Sequence, residues 1–291
     1  MVLSLLRVLA IALPTIIGLL GYQLLFPTPA RRHIIAVSIP QYTFLISRGG
    51  LYARLFPRND EALRRIVLRG VESIPGEISL VVENFTTGQY FATREFEQVQ
   101  AASLYKIPVM IALLAQAKAE RRPLSPEVID STTRMITLSS NDDGQALGSS
   151  LGWDRITKGM QTHGFMATTL SDPPLTSAFD MARMLEHIYN EKLIDPESSR
   201  FMFSLLTKQQ VRDRIPKLLP DSAFVANKTG DLDGVVHDVA VVKAPQSTYL
   251  LVILGRNISN VEIAKLRMAE LSKAIYDYFE SQFEKPPSAI L

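Results

Sequence analysis

Residues 59 to 283 predict an α/β fold of the α+β kind: an antiparallel five-stranded sheet flanked by terminal helices, with an all-helical lobe inserted between its strands. Three observations lead there. Strand-like segments lie at both ends of the region, 77–97 and 223–256. The stretch between them, 103–214, is rich in helical pattern. A helix signal precedes the first strands, and another follows the last.

The elements follow in order. Asn59 is placed to cap a helix running to Ile74, with Leu63, Ile66, Val67 and Val71 on one stripe, and Pro75-Gly76 ends it. Glu77 to Asn84 and Gln89 to Glu97 read as strands joined through Thr86-Thr87-Gly88 as a hairpin. The helical lobe is punctuated at Pro123, Pro126, Gly144, Gly152, Pro173-Pro174 and Pro196. Three strands come after Pro220: Ala223 to Thr229, Val235 to Lys243, and Thr248 to Arg256. Ser259-Asn260-Val261-Glu262 opens a closing helix that runs to Phe283. The domain is thus 59–285, with an α/β lobe from 59–102 and 223–285 and a helical lobe from 103–222.

Ahead of it, Val8 to Phe26 is almost wholly apolar, and no charge occurs between Arg7 and Arg31. About 20 such residues can cross a bilayer. Residues 1–30 are expected to be an uncleaved signal-anchor or transmembrane helix, with a cleaved signal as the alternative; Thr28-Pro29-Ala30 is a poor cleavage site. Residues 31–58 read as a membrane-proximal stalk or as an edge strand beside the domain.

The 291 residues carry 31 Lys and Arg against 29 Asp and Glu, with no basic run interleaved with aromatics, which argues against a nucleic-acid partner. Zero cysteines exclude disulfides, thiolate metal sites and a cysteine nucleophile. His33, His163, His187 and His237 have no metal-ligand spacing, so no metal and no cofactor is expected.

Ser103-Leu104-Tyr105-Lys106 is the only Ser-x-x-Lys in the chain. A serine hydroxyl is a poor nucleophile until a neighbour accepts its proton. Residues three apart share a helix face, so Lys106 can reach the Ser103 oxygen. The apolar run Ile107 to Leu114 places both at a domain centre, where desolvation favours a neutral, basic amine. The plainer alternative is a capping serine with a snorkelling lysine.

Two further segments join this one: Ser139-Ser140-Asn141 and Lys228-Thr229-Gly230. The three, in this order, resemble the signature elements of class A β-lactamases and penicillin-binding proteins. Ala102 to Pro108 looks like that family's nucleophile helix, Thr176 to Ala182 like the helix start after its Ω-loop, and Val236 to Val242 like the strand after Lys-Thr-Gly. The resemblance implies a β-lactamase/transpeptidase-like fold and an acyl-enzyme on Ser103, with Lys106 as base. It also implies that Ser139 relays a proton to the leaving nitrogen with Lys228 beside it. Asn141, Thr229, Gly230 and Asp231 then line the substrate, with the backbone N–H groups of Ser103 and Asp231 as oxyanion donors. Because the family's targets lie outside the cytoplasmic membrane, the domain is expected to be extracytoplasmic on a single-pass anchor, although Arg31 and Arg32 by charge oppose that orientation. The expected partner is a β-lactam or peptidoglycan-like small substrate, and the expected state is a monomer.

Two departures stand out. The stretch from Gly164 to Pro174 contains no glutamate, so Asp172 is the local carboxylate available for deacylation. Asp231 places a negative charge beside the oxyanion hole. Three functions follow: a β-lactamase-like hydrolase, a DD-peptidase or penicillin-binding protein that deacylates slowly, and a non-catalytic cell-wall binder. Gly148-Ser149-Ser150-Leu151-Gly152 matches a nucleophile-elbow pattern, but the polar residues before it are not the buried strand an elbow needs. His237 and Asp238, adjacent in a strand, are sent to opposite faces, and Trp153 is a core residue.

Overall fold

The structure is a computed structural model, and it describes residues 36–39, 42–45 and 60–284. The apolar segment 8–26 lies outside the described residues. Among those described, no helix is long and apolar enough to cross a membrane. Contacts divide the chain between Tyr52 and Ala53. In the first part, β1 (Ala36–Ile39) and β2 (Tyr42–Leu45) pair antiparallel as a sheet of their own.

In the second part, α1 (Glu61–Ser73) is capped by Asp60 rather than Asn59: the Asp60 carboxylate accepts from the backbone N–H groups of Ala62 and Leu63. Helix α1 leads into β3 (Glu77–Asn84) and β4 (Tyr90–Thr93). Strand β4 stops four residues short of the expected Glu97, because Arg94 turns left-handed at φ 52° and Glu97 N–H closes a turn onto its carbonyl. The three late strands are β7 (Phe224–Leu232), β8 (Val235–Lys243) and β9 (Thr248–Arg256). The sheet order is β4-β3-β9-β8-β7, so β7 is an edge. Two-residue strands β5 (Val99–Gln100) and β6 (Leu175–Thr176) pair separately.

The sheet is apolar on both faces, and alternation divides its side chains between two cores. Ile78, Leu80, Val225, Val236, Ala240 and Leu251 pack with Leu63 and Val67 of α1 and Met268, Ile275 and Phe279 of α8 (Val261–Glu284). Val81, Ala226, Val239, Val241 and Val252 pack against the helical lobe. That lobe contains α2 (Lys106–Ala119), α3 (Pro126–Thr137), α4 (Asn141–Leu151), α5 (Trp153–Thr162), α6 (Ala178–Tyr189) and α7 (Pro196–Leu206).

Ser125, Ser140, Ser177 and Asp195 supply N-cap side chains for four of these helices. Gly144 does not interrupt the lobe as expected; it lies inside α4 and permits a close approach. A Cβ there would come within 2.6 Å of the Tyr105 hydroxyl and 3.0 Å of Lys106 Cε.

Candidate active site

Ser103 lies in a 3-10 turn (Ala102–Tyr105), not in an α-helix, and α2 begins only at Lys106. Pro108 lacks the N–H that would close an α-turn onto the Leu104 carbonyl, while Lys106 N–H bonds the carbonyls of Ser103 and Leu104. This puts Lys106 one turn past Ser103, with its ammonium aimed back at the serine. Lys106 Nζ stands 3.0 Å from Ser103 Oγ, 2.7 Å from the Ser139 carbonyl, 2.7 Å from Asn141 Oδ1 and 3.3 Å from Ser139 Oγ.

Ser139 joins α3 to α4 with φ at 60°, and this bend aims both its carbonyl and its hydroxyl at the lysine. From β7, Lys228 Nζ donates to Ser139 Oγ at 2.8 Å and to the Thr229 carbonyl at 2.8 Å. Ser103, Lys106, Ser139 and Lys228 therefore form one continuous chain of contacts, and Asn141 joins it through Lys106.

Both lysines are fully buried, at 0% exposure. Desolvation lowers Lys106 to about 8. It lowers Lys228 to about 7, with the charge of Lys106 adding to the effect. Among the described residues no carboxylate touches either ammonium, so the pair favours shedding a proton near neutrality. The contacts accommodate either form: a charged Lys106 has three N–H groups for the Ser139 carbonyl, Asn141 Oδ1 and Ser103 Oγ, and a neutral one keeps two for the first two and turns its lone pair to the Ser103 O–H. Of the two lysines, Lys228 has the lower value and sheds its proton first.

Alternation on β7 separates the remaining expected residues. Lys228 and Gly230 share the face of Ala226, toward the helical lobe, whereas Thr229 and Asp231 share the face of Val225. A Cβ on Gly230 would lie 3.2 Å from Ala102 Cβ and 3.3 Å from the Ala101 carbonyl, so the bare Cα lets the turn that carries Ser103 rest on the strand. Thr229 is buried. The Asp231 carboxylate is turned to the Arg214 guanidinium, which also donates to the His237 carbonyl at 2.7 Å.

Asp172 is exposed at the surface of the 164–174 loop. That loop is pinned beside the site, since Ala101 N–H donates to the Pro174 carbonyl at 2.7 Å. It is also held by Asp180, which accepts from Ala167 N–H at 2.9 Å and from the Thr168 hydroxyl at 2.8 Å. Burial raises the Asp180 carboxyl.

Sequence reasoning missed Arg214 and the fastening role of Asp180. Arg214 carries no motif. Asp180 reads locally as a first-turn helix acid, and its burial comes only from the fold.

The elbow-like segment is not a site. Gly148 makes room for the Trp153 ring, and Ser150 Oγ donates to the Leu147 carbonyl. Trp153 is only partly buried, edge-on to Tyr105. Among the described residues no group of three or more acidic or histidine side chains could hold a metal ion. Two cavities of about 760 and 620 Å³ lie at the C-terminal end of α2, away from these residues.

A five-stranded antiparallel sheet with an inserted helical lobe, its edge strand beside the turn that carries Ser103, is a β-lactamase-type fold. The model of the family described as "Beta-lactamase enzyme family" matches residues 60–131 and 121–279, and the chain belongs to that family. Solved structures agree on the fold. The β-lactamase of Sphaerobacter thermophilus DSM 20745 is similar at 20% identity and TM-score 0.68, covering 78% of this chain and 99% of that one. PBP-A is similar at 20% identity and TM-score 0.70, covering 77% of this chain and 97% of that one. The TLA-1 extended-spectrum β-lactamase is similar at 15% identity and TM-score 0.69, covering 76% and 99%. A mutant of PBP-A is known as an acyl-enzyme complex with penicillin G. No curated protein matches.

Proposed function

We propose that the chain is a membrane-anchored, extracytoplasmic serine hydrolase that acts through an acyl-enzyme on β-lactams or related amides. The observation that carries this reading is the Ser103–Lys106 contact of 3.0 Å to a fully buried amine. Lys106 takes the Ser103 proton as the oxygen attacks the carbonyl carbon. Ser139, bonded to Lys228, passes a proton to the leaving nitrogen. The Lys228 charge meets a substrate carboxylate. Asn141, held by its oxygen, offers its exposed amide nitrogen to the acyl side chain. Edge strand β7 leaves alternate N–H groups outside the sheet ladder, and the Asp231 N–H serves with that of Ser103 as an oxyanion donor. Because the Asp231 carboxylate is paired with Arg214, its charge is drawn off this spot. The apolar segment 8–26 supplies the anchor.

A second reading is favoured by the loop from Gly164 to Pro174, which has no glutamate: a DD-peptidase or penicillin-binding protein whose adduct is long-lived. The acyl-enzyme known for a mutant of PBP-A supports it.

Fluorescent penicillin decides. Wild type is expected to take a covalent label that Ser103→Ala abolishes. Rapid turnover of a chromogenic cephalosporin selects the hydrolase, and a persistent adduct selects the second reading. Absence of both adduct and turnover leaves a cell-wall binder and refutes the proposal. In the hydrolase reading Asp172 is the deacylating base, so Asp172→Asn lengthens adduct lifetime; an unchanged lifetime removes Asp172 from that role.

A further inference from the structure

His237 is fully buried and takes no part in the contacts among Ser103, Lys106, Ser139 and Lys228. Both ring nitrogens have defined partners. Gly255 N–H donates to Nδ1 at 3.2 Å, which leaves the ring proton on Nε2, and Nε2–H donates to the Gln100 carbonyl at 2.8 Å. Gln100 ends β5, three residues before Ser103.

In the β7–β8 register His237 stands opposite Gly230. One cross-strand pair thus presents an imidazole and a bare Cα to the turn that carries Ser103. On the far side the turn is tied through Ala101 N–H to Pro174. Between these ties Ala102 holds a left-handed φ of 46°, a strained conformation that persists only where its surroundings fix it.

We propose that His237 is a positioning residue: it suspends the 100–102 segment from the sheet, and so fixes the Ser103 hydroxyl and backbone N–H relative to Lys106 and β7. The catalytic part of this inference rests on Ser103 being the nucleophile. Reactivity depends steeply on such placement, with misplacement by about 1 Å costing on the order of 10²-fold.

The test compares His237→Leu, which removes both nitrogens, with His237→Gln, whose amide can restore a donor to Gln100. Amide hydrogen exchange, read residue by residue without substrate, should quicken by about tenfold or more at residues 100–105 in the Leu variant, while amides of β9 stay protected. The limiting rate of penicillin acylation should fall by about tenfold or more, with little change in half-saturating concentration, and Gln should restore both readouts. Wild-type exchange and wild-type rate in the Leu variant overturn the proposal, as does a loss that spreads over the whole sheet and is not restored by Gln. Should Leu fail to fold, Gln is compared with His237→Asn, whose amide falls at the Nδ1 position. Asn should lose the protection that Gln keeps, and equal behaviour overturns the proposal. If wild type takes no penicillin at all, the proposed function fails, and the exchange comparison still decides the role of His237.

Discussion

The two faces of β7 handle buried charge in opposite ways. Toward the helical lobe, Lys228 and Lys106 share one serine hydroxyl, with no carboxylate among the described residues against either, and burial drags both toward neutrality. Toward the terminal helices, Arg214 holds the Asp231 carboxylate and the His237 carbonyl, and Lys265 pairs with Asp213 at 3.1 Å. There Asp238 accepts from Ile215 N–H and from Asn227 at 3.0 Å each. Burial raises its carboxyl to about 7, opposed by Arg214. One face gathers like charges around a hydroxyl; the other matches opposite charges across the strand. Shifted groups cluster at working sites, but Asp238 shows that burial shifts a group on the other face as well, so the contrast lies in the like-charged pair that shares one hydroxyl.

Breaking the reactive face should have the largest effect. Lys106→Met is expected to slow penicillin acylation by about 10²–10⁴-fold, the usual worth of a positioned base, as measured by the rate of fluorescent labelling. A rate within a few fold of wild type would mean that Ser103 is activated by something else.

The pH profile comes next. Below about 7 both amines carry protons and no base is available; above about 8 both are neutral and the charge beside Ser139 is gone. The second-order acylation rate constant, which reports the free protein, should therefore be bell-shaped, with flanks near 7 and 8 that belong to the pair rather than to either lysine. An anionic substrate raises Lys228 and leaves Lys106 as the neutral partner. A flat profile from pH 6 to about 9 contradicts the shared-proton account.

Stability sharpens the contrast. Both lysines titrate lower folded than unfolded, so the unfolded chain binds more protons between about 7 and 10.5, and their cost to stability falls as pH rises through that window. Lys228→Met should therefore hold or raise the urea midpoint at pH 7 while labelling is lost. Arg214→Met should lower stability by about 1–3 kcal/mol, because it leaves the His237 carbonyl and a neighbouring carboxylate without their donor. Equal losses in the two variants would erase the distinction between the faces. The smallest effect lies far from both: Asp60→Ala should cost about 1–2 kcal/mol through the lost cap of α1 and the lost bonds from Gln89 and Tyr278.

Much of the frame was legible because its signals are periodic. Val235–Lys243 and Thr248–Arg256 are runs rich in Val, Leu and Ile bounded by turns, and both strands have those limits in the structure. The β5–β6 pair was not legible, since two-residue strands carry no period. Gly144 was misread as punctuation because a glycine that admits Lys106 and Tyr105 looks, in sequence, like one that ends a helix. At the site, Ser103, Lys106, Ser139, Asn141 and Lys228 stand in short motifs, and the structure brings them together. Arg214 and His237 are lone residues whose partners come from distant segments, so only the fold shows what they hold.

The most direct test of the central claim is peptide mapping by mass spectrometry after brief exposure to benzylpenicillin. A single penicilloyl adduct on the peptide carrying Ser103, absent in Ser103→Ala and sharply reduced in Lys106→Met, is the result predicted. An adduct on Ser139 or Ser150 instead, or an unmodified protein that neither binds nor turns over the drug, would contradict it.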